Sequence, residues 1–512
     1  MALIITSSAE RMVARFLATW LLIRLPWSRN TPPTTSALSL WLINMPLRSS
    51  LKLVPNESRG LKKDPSPQIL LAQDQEIQRL MAHFQSQTPQ GQLVRDLELL
   101  LRVAVFKSAS SLVGVLLQQA ADRSDALYQP KPGEQFKGRV PLEVQCLFGC
   151  FIILRDYYYH PGKKQGHYPA DAALGLEVGY TPALARLVCE AAADASGYTK
   201  AQRRLANTGG IEVSARQIHR VVQRVGVDAQ AWQEREAKPQ PCDAAVVYVS
   251  GDGTGVPMCS AELAGRKGKQ LDGTAKTRQV YLGCVFTQHR TDEKGHPMRD
   301  HNSTTYVSSF KPIAEFGPLL RQEAIRRGMG SAAQVVLLID GASGLEHMGR
   351  DCFKDAVQIV DFYHAVEHAG TVLTALIGKD HPDFKKEQSR WAKRLLKDQV
   401  VSLIAETRQA ALGTARAQAV EEALGYFERN SSRMQYGTFR KKGWFIGSGV
   451  VEAGCKTVIG ARCKQSGMFW SKPGAENVLA LRCIQSSRRE DEFWKYRLNQ
   501  HAKRNDPITL SE

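Results

Sequence analysis

The sequence lacks the cysteine pattern of a secreted or zinc-stabilised protein. Its 10 cysteines are spread through a chain of 512 residues, and no two of them form a Cys-x-x-Cys pair. This low density argues against a disulfide framework and fits a reducing compartment, so we expect a cytoplasmic protein. The ligand spacing of a structural zinc site is also missing.

The N-terminal part of the sequence has no long uncharged apolar run, and the chain has neither internal repeats nor low-complexity tracts. Residues 16–27 are apolar but contain Arg24 and are too few to span a bilayer, so we expect no membrane partner. No small-residue cleavage site follows them, although a transit peptide stays open. We expect a poorly ordered basic lead-in up to residue 67, with the functional chain beginning near Met45.

Positive charge is in clear excess. The chain has 68 lysines and arginines against 50 acidic residues, which gives a formal net charge of +18 and a pI near 9.5. Each Lys or Arg that neutralises a phosphate releases a condensed counterion, so such an excess favours a polyanionic partner. Because the charge is not confined to one tail, a broad binding surface is expected.

A stretch before the middle of the chain has the pattern of a helix-turn-helix. Residues 198–207 can form one helix and residues 215–225 a second, with Gly209-Gly210 as the turn. Ser214 followed by Gln217 is the signature of a capping box. Side chains of the second helix that can read base edges and phosphates are Arg216, Gln217, Arg220 and Arg224. An ordinary αα-hairpin with a solvated basic face is the alternative.

From residue 242 onward, apolar strand-like runs alternate with helical patterns. The predicted order is three strands, a helix, a strand, a helix, a strand, a long helical block and a final helix. This order predicts an α/β RNase H-like catalytic core with an all-α insertion before its final helix. A mainly helical DNA-binding region would precede the core.

These patterns divide the chain into seven predicted segments. In chain order they are a poorly ordered basic lead-in (1–67), a helical N-terminal region (68–135), a DNA-binding region with the helix-turn-helix candidate (136–238), the first part of the RNase H-like core (242–378), the all-α insertion (379–442), the final catalytic helix region (443–490) and a tail (491–512).

Asp252 and Asp340 each close an apolar run, and each precedes a glycine. In open α/β sheets, ligands and metals gather where strands end. A carboxylate at such a place is costly unless it is compensated, and Mg²⁺ held by hard oxygen ligands compensates it. Either aspartate alone could simply begin a turn. Two of them at matching places in the predicted topology favour a metal site.

A Gly/Ser-rich turn at residues 446–450 runs directly into a predicted helix, with Ser448 as its cap. Glu452 would lie in the first turn of that helix and face the strand ends. Lys456, one turn later, can pair with Glu452 or reach a DNA phosphate. The alternative is a solvent-exposed glutamate that the helix dipole favours.

Asp361 and His364 form a short motif after the third core strand of the pattern, where a helix begins. Asp361 can serve as the N-cap, and its carboxylate could orient His364. Both residues could also contact DNA near a cleavage site. A capping aspartate with a nearby structural histidine is the alternative for this tetrapeptide alone.

The set Asp252, Asp340, Asp361-x-x-His364 and Glu452 resembles bacterial insertion-sequence transposases of the Kra type. They belong to a DDE group that is similar to eukaryotic Mutator-like transposases, which carry an Asp/Cys-x-x-His signature. The resemblance covers roughly residues 140–488, and five motifs in order make it far more specific than three acidic residues. Those motifs are residues 251–254, 339–341, 361–368, 446–452 and 466–470.

The resemblance implies a DNA transposase that cleaves insertion-sequence ends and joins them to target DNA by two-metal phosphoryl transfer. Asp252, Asp340 and Glu452 would hold two Mg²⁺ ions, for which Mn²⁺ can substitute, and Asp361 and His364 would complete the catalytic group. The partner would be double-stranded DNA, bound by a homodimer or higher oligomer associated with the nucleoid. Further residues expected on DNA phosphates are Lys456, Arg462 and Lys464.

One departure from the family concerns a Cys-x-x-Cys knuckle that usually precedes the segment found here at residues 169–176. This chain has His160 and His167 there, with Cys146 and Cys150 upstream, so a zinc site stays open.

Two rival functions also stay open. One is a DNA-binding repressor of the same element that has lost catalysis, against which the intact acidic set argues. The other is an RNase H-like nuclease that cleaves without joining, against which the helical insertion argues.

Overall fold

The computed structural model describes residues 78–504, apart from residues 81, 89, 178, 269, 271 and 272. The predicted lead-in of residues 1–67 and the end of the predicted tail lie outside the described residues. The chain divides into two compact units, residues 1–119 and 120–512. This division does not test the finer domain boundaries, which stay predictions.

Helix α1 (Gly91–Leu127) is the longest element and is apolar around most of its circumference. Several of its large apolar side chains are exposed, among them Leu99, Val103 and Leu116. By length and composition the helix could cross a membrane, a possibility that the sequence expectation, based on residues 16–27, did not consider. Because core helices of soluble proteins pass the same criterion, α1 by itself carries no conclusion about a membrane.

A three-stranded antiparallel sheet follows, in the order β1-β2-β3. It consists of β1 (Gln135–Cys146), β2 (Gly149–His160) and β3 (Gln165–His167). The tight connection between β1 and β2 pairs Cys146 with Gly149, and the pairing runs back to Gln135 and Tyr159. Four helices then lead to the next sheet: α2 (Pro169–Ala173), α3 (Pro182–Asp194), α4 (Tyr198–Arg204) and α5 (Ala215–Glu234).

The five-stranded sheet carries the predicted carboxylates. Its strands are β4 (Val246–Pro257), β5 (Thr277–Gln288), β8 (Thr305–Ser309), β9 (Val335–Ile339) and β10 (Val357–Val360), in the order β10-β9-β4-β5-β8. β5 pairs antiparallel with both of its neighbours, β4 and β8, whereas β9 pairs parallel with β4 and β10 pairs parallel with β9. The short strands β6 (Arg290–Thr291) and β7 (Pro297–Met298) form a separate ribbon, and α6 (Ser260–Leu263) follows β4.

Both faces of this sheet are buried, as its nearly continuous apolar strands require. Side-chain alternation along β4 sends Val247 and Val249 into one apolar cluster and Val246 and Tyr248 into the other. The first cluster is closed by α7 (Ile313–Arg326) and α8 (Ser343–Cys352), which are the helices that connect the parallel strands. The five-stranded mixed sheet therefore lies between two helical layers.

The described residues after β10 are mainly helical, in the order expected from the sequence. The helices are α9 (Phe362–Ile377), α10 (Phe384–Leu395), α11 (Val400–Ala411), α12 (Ala417–Asn430), α13 (Tyr436–Lys441), α14 (Gly449–Gly454), α15 (Ala461–Cys463), α16 (Lys472–Ser486) and α17 (Glu490–Arg504). A π-helical segment, Cys455–Gly460, joins α14 to α15. Helix α14 approaches the sheet closely at Gly454, where a Cβ would lie 2.9 Å from Leu282 and 2.7 Å from Tyr306.

Candidate functional site

Asp252 lies within β4 and not at its end. The sequence pattern predicted that the strand closes at this aspartate, but β4 continues to Pro257 because β5 pairs with it throughout, with Asp252 opposite Leu282. One carboxylate oxygen accepts from the backbone N–H of Gly253 at 2.6 Å. Burial raises the pKa of Asp252, and the nearby charge of Asp340 raises it further.

Asp340 follows β9 directly, as the pattern predicted. In the parallel pairing of β4 with β9, Ser250 lies opposite Leu338, so Asp252 and Asp340 each stand two residues beyond the same register position. Neighbouring strands are about 4.8 Å apart, which brings the two aspartates side by side. The Asp340 carboxylate accepts from the backbone N–H of Ala342 at 2.8 Å and so starts the turn into α8.

Glu452 occupies the first turn of α14, where the pattern placed it. Ser448 is at the N-cap position, but its side chain makes no cap hydrogen bond. Its hydroxyl instead donates to the Glu452 carboxylate at 2.9 Å. One turn further on, the Cys455 thiol donates to Asp252, and burial raises the pKa of that thiol. Helix α14 thus carries Glu452, and the π-helical segment that follows it supplies a donor to Asp252.

Asp361 is completely buried and ties two elements together. Its carboxylate caps α9 by accepting from the His364 backbone N–H at 2.7 Å, as predicted, and it also accepts from the Ser448 backbone N–H. Burial alone would raise the pKa of Asp361. The His364 ring and these two N–H donors outweigh burial and hold that pKa below its usual value.

His364 completes a compact cluster with Asp361 and Glu452. Its Nδ1 lies 3.3 Å from an Asp361 carboxylate oxygen, and this neighbouring carboxylate raises the pKa of His364 to about 9. Among the described residues, only these three bring three ligand atoms within 4.8 Å of one another. Asp252 and Asp340 stand beside this cluster and not inside it, which differs from the predicted ligand set of Asp252, Asp340 and Glu452.

The helix-turn-helix candidate has the predicted capping box. The Ser214 hydroxyl accepts from the Gln217 backbone N–H, and the Gln217 side chain accepts from the Ser214 backbone N–H. Helix α5 is longer than predicted because its apolar face packs along α16. Arg216, Arg220 and Arg224 are all exposed on it, and Arg224 also forms a 2.8 Å ion pair with the buried Glu177.

The three predicted phosphate contacts near the carboxylates differ in accessibility. Lys456 is exposed, and Lys464 is exposed with its ammonium donating to the hydroxyl of Thr254. The prediction for Arg462 is wrong, because only 1% of this residue is exposed. Its guanidinium packs 4.8 Å from the rings of Tyr198 and Trp470, inside the core.

The possible zinc knuckle is also ruled out by the fold. Cys150 and His160 are at opposite ends of β2, ten residues and about 33 Å apart. His167 is bound to the Tyr128 hydroxyl at 2.9 Å, and His160 accepts from the Lys163 backbone N–H. The two histidines and the two cysteines therefore cannot share one metal ion.

Sequence reasoning missed Tyr426, which helix α12 brings to the Asp340 turn. Its hydroxyl donates to the Asp340 backbone carbonyl at 2.9 Å, and its ring stacks on His368 with centroids 3.6 Å apart. It also missed Cys455, whose contact depends on how α14 packs. For His368 a signal was available, since it ends the motif that begins at Asp361.

Neither the protein-family models nor the curated proteins include a match to this chain. Among solved structures, the chain is similar to the Drosophila P element transposase strand transfer complex. That likeness has a TM-score of 0.21 and 10% sequence identity, and it covers 62% of this chain and 80% of the other. A likeness of that size carries no argument about fold or function.

Proposed function

We propose that this chain is a DDE-type DNA transposase of the Kra kind, which cuts at insertion-sequence ends and joins them to target DNA. The observation that carries the proposal is the matched register of Asp252 and Asp340 on parallel neighbouring strands. Cys455, which directly follows α14 and lies three residues after Glu452, donates to Asp252, and this contact supports the assignment of Glu452 to the same site. We infer an RNase H-like core from the strand order and from the helical block that precedes α14.

The residues present fit a divalent cation. Asp252, Asp340 and Glu452 supply only oxygen ligands, which Mg²⁺ and Mn²⁺ prefer. Two adjacent aspartates repel each other, and the raised pKa of Asp252 reflects burial beside Asp340, a cost that a cation offsets. Bound Mg²⁺ would make a water molecule or a 3′-hydroxyl a stronger nucleophile and would neutralise charge on the phosphate.

The neighbouring residues position this group. Asp361 fixes the start of α9 and the turn before α14, and Ser448 holds the Glu452 carboxylate. His364 carries a positive charge at neutral pH because its pKa is about 9, so it serves as a hydrogen-bond donor and a counter-charge beside the acidic group. Lys456 and Lys464 are exposed next to the site and can contact the DNA backbone.

DNA recognition is assigned to α5. Arg216 and Arg220 are exposed on its N-terminal half, as in a recognition helix that enters the major groove. Because two ends must be joined in one reaction, we propose that a homodimer or higher oligomer assembles on DNA. Such a protein would act at the nucleoid in the cytoplasm.

A strand-transfer assay tests the proposal. DNA carrying the element's own ends is incubated with Mg²⁺ and the wild type, Asp340→Asn or Asp351→Asn. Asp351 is an exposed aspartate on α8 and serves as the matched control. We expect joined product from the wild type and the control and a loss of about 10³-fold or more in Asp340→Asn. Cleavage without joining would favour the nuclease, and binding without cleavage would favour the repressor.

A further inference from the structure

A cleft of about 900 Å³ opens at the opposite end of the five-stranded sheet from the carboxylates. It lies between the segment that precedes β4, the end of α7, the start of β8 and the junction of α16 with α17. We call it the arginine cleft because six cationic side chains line it: Arg235, Lys238, Arg326, Arg327, Arg488 and Arg489.

The register of the sheet separates the arginine cleft from the candidate active site. Thr287, which lines the cleft, lies opposite Val247, whereas Asp252 lies opposite Leu282. The two positions on β4 are five residues apart, or about 17 Å along the strand. A ligand in the cleft is therefore distinct from a phosphate at the carboxylates.

Positive charge in the cleft exceeds its local compensation. Three carboxylates line it, and one of them, Glu492, forms an ion pair with Arg489 at 2.7 Å. Another, Asp243, is almost fully exposed and points to His289 at 3.1 Å. Within the described part of the chain, Lys238 and Arg488 have no carboxylate partner. The cleft therefore carries more cations than its own acids neutralise.

The cations of this cleft are also crowded. The Arg235 guanidinium packs over the Trp232 ring at 3.9 Å, with Arg489 over the same ring at 4.6 Å. Burial and the nearby charges of Arg326 and Arg489 lower the pKa of Arg235 to about 10. An anion bound among these groups would relieve that repulsion.

We propose that the arginine cleft binds a phosphate group, either a phosphodiester of the DNA backbone or a free phosphate. Guanidinium groups bind phosphate oxygens with paired, planar hydrogen bonds, and several of them around one cavity supply more donors than one phosphate accepts. Lys238 and Arg488 stand at the exposed rim, where a polyanion can approach. The site does not depend on the proposed transposase chemistry, since it lies away from the carboxylates.

The test measures binding rather than catalysis. Calorimetry with inorganic phosphate and anisotropy with a labelled DNA duplex are performed on the full chain and on the double variant Lys238→Gln/Arg488→Gln. The control, Arg350→Gln/Lys397→Gln, removes the same charge from exposed sites on α8 and after α10. We expect affinity to fall about tenfold in the cleft variant and to stay near the wild type in the control.

The two probes separate the sources of phosphate. Loss of inorganic phosphate binding identifies a free phosphate site. Loss confined to the duplex, with a salt dependence weaker by about one to two ions, identifies the DNA backbone. Equal losses in the cleft variant and the control, or no loss with either probe, would overturn the proposal. The Asp340→Asn variant should bind phosphate as the wild type does, because the cleft lies away from the carboxylates, so the two proposals can fail independently.

Discussion

The hydroxyl of Tyr426 donates a hydrogen bond to the backbone carbonyl of Asp340 at 2.9 Å and thereby joins the all-α insertion to a candidate metal ligand. Gly341 makes this approach possible. It has a φ of +81°, and a Cβ there would lie 2.8 Å from the Tyr426 hydroxyl. On its other side the Tyr426 ring stacks on His368 of helix α9. The turn that carries Asp340 thus contacts helix α12 through Tyr426, and helix α9 packs against the other side of that ring.

Tyr426→Phe should therefore loosen the Asp340 turn while it keeps the ring stacking. We expect the free energy of unfolding to fall by about 1 kcal/mol, as for one lost hydrogen bond, and DNA cleavage to fall at least tenfold. The control is Tyr248→Phe, which removes a buried hydroxyl that donates to Gln288 at 2.6 Å and accepts from the Phe445 backbone N–H at 3.2 Å, without a contact to the carboxylates. Equal cleavage by the two variants would contradict a positioning role for Tyr426.

Asp361→Asn should destabilise the fold more than the loss of an ordinary cap. The carboxylate accepts from the backbone N–H groups of His364 and Ser448 and pairs with the His364 ring. We expect a loss of about 2–4 kcal/mol in chemical denaturation, against about 1 kcal/mol for Ser471→Ala, which removes only the cap of α16. If the two variants lost the same free energy, Asp361 would be a simple cap.

The local parts of this site could be read from the sequence, because they depend on neighbouring residues. The Ser214–Gln217 capping box and the Asp361 cap each involve side chains within three positions of their partners. The apolar run before Asp340 likewise fixes where β9 ends. A short sequence pattern of this kind includes both residues of the contact, so the contact can be predicted from the sequence.

Contacts between residues that are far apart in the sequence could not be predicted from local patterns. The end of β4 is set by β5, which extends the strand past Asp252. Arg462 has the sequence context of a surface cation, yet Tyr198, more than 260 residues earlier, covers it. Tyr426 meets Asp340 across 86 positions. No local spacing encodes these partners, since the packing of helices on the sheet decides them.

Replacement of Asp252 should change how strongly Mg²⁺ raises the free energy of unfolding. In the presence of a chelator, Asp252→Asn should raise the free energy of unfolding by about 1–2 kcal/mol, because it relieves the repulsion from Asp340. Saturating Mg²⁺ should then stabilise the wild type by about 2–3 kcal/mol and this variant far less. Thermal unfolding with and without Mg²⁺ measures both effects, with Asp351→Asn as the control. Equal stabilisation of all three proteins would place the metal elsewhere.

His289 should make stability depend on pH. Its ring contacts Asp300 at 2.6 Å and Asp243 at 3.1 Å, and these carboxylates raise the pKa of His289. A raised pKa means that protonation favours the folded state, so the gain is fully present below about pH 6.5 and is lost as pH rises through the folded pKa.

We therefore expect His289→Gln to lose more stability near pH 6 than near pH 9, because only the protonated ring gains from the two aspartates. Denaturation should be followed in buffers without phosphate, since His289 also lines the arginine cleft. The control is His347→Gln, an exposed position on α8. A stability loss that is independent of pH would show that the neutral ring makes the important contacts.

Arg216 and Arg220 should account for much of the DNA affinity of helix α5, since both are exposed on it. Arg216→Gln/Arg220→Gln should weaken duplex binding about tenfold or more and reduce the slope of log affinity against log salt by about two, one for each lost phosphate contact. The fold should be unaffected, because the apolar face that packs on α16 is unchanged. Arg350→Gln/Lys397→Gln again removes two exposed charges elsewhere. If that control lowered affinity and slope equally, binding would reflect the net charge of the chain, and α5 would be an ordinary helix with a solvated basic face.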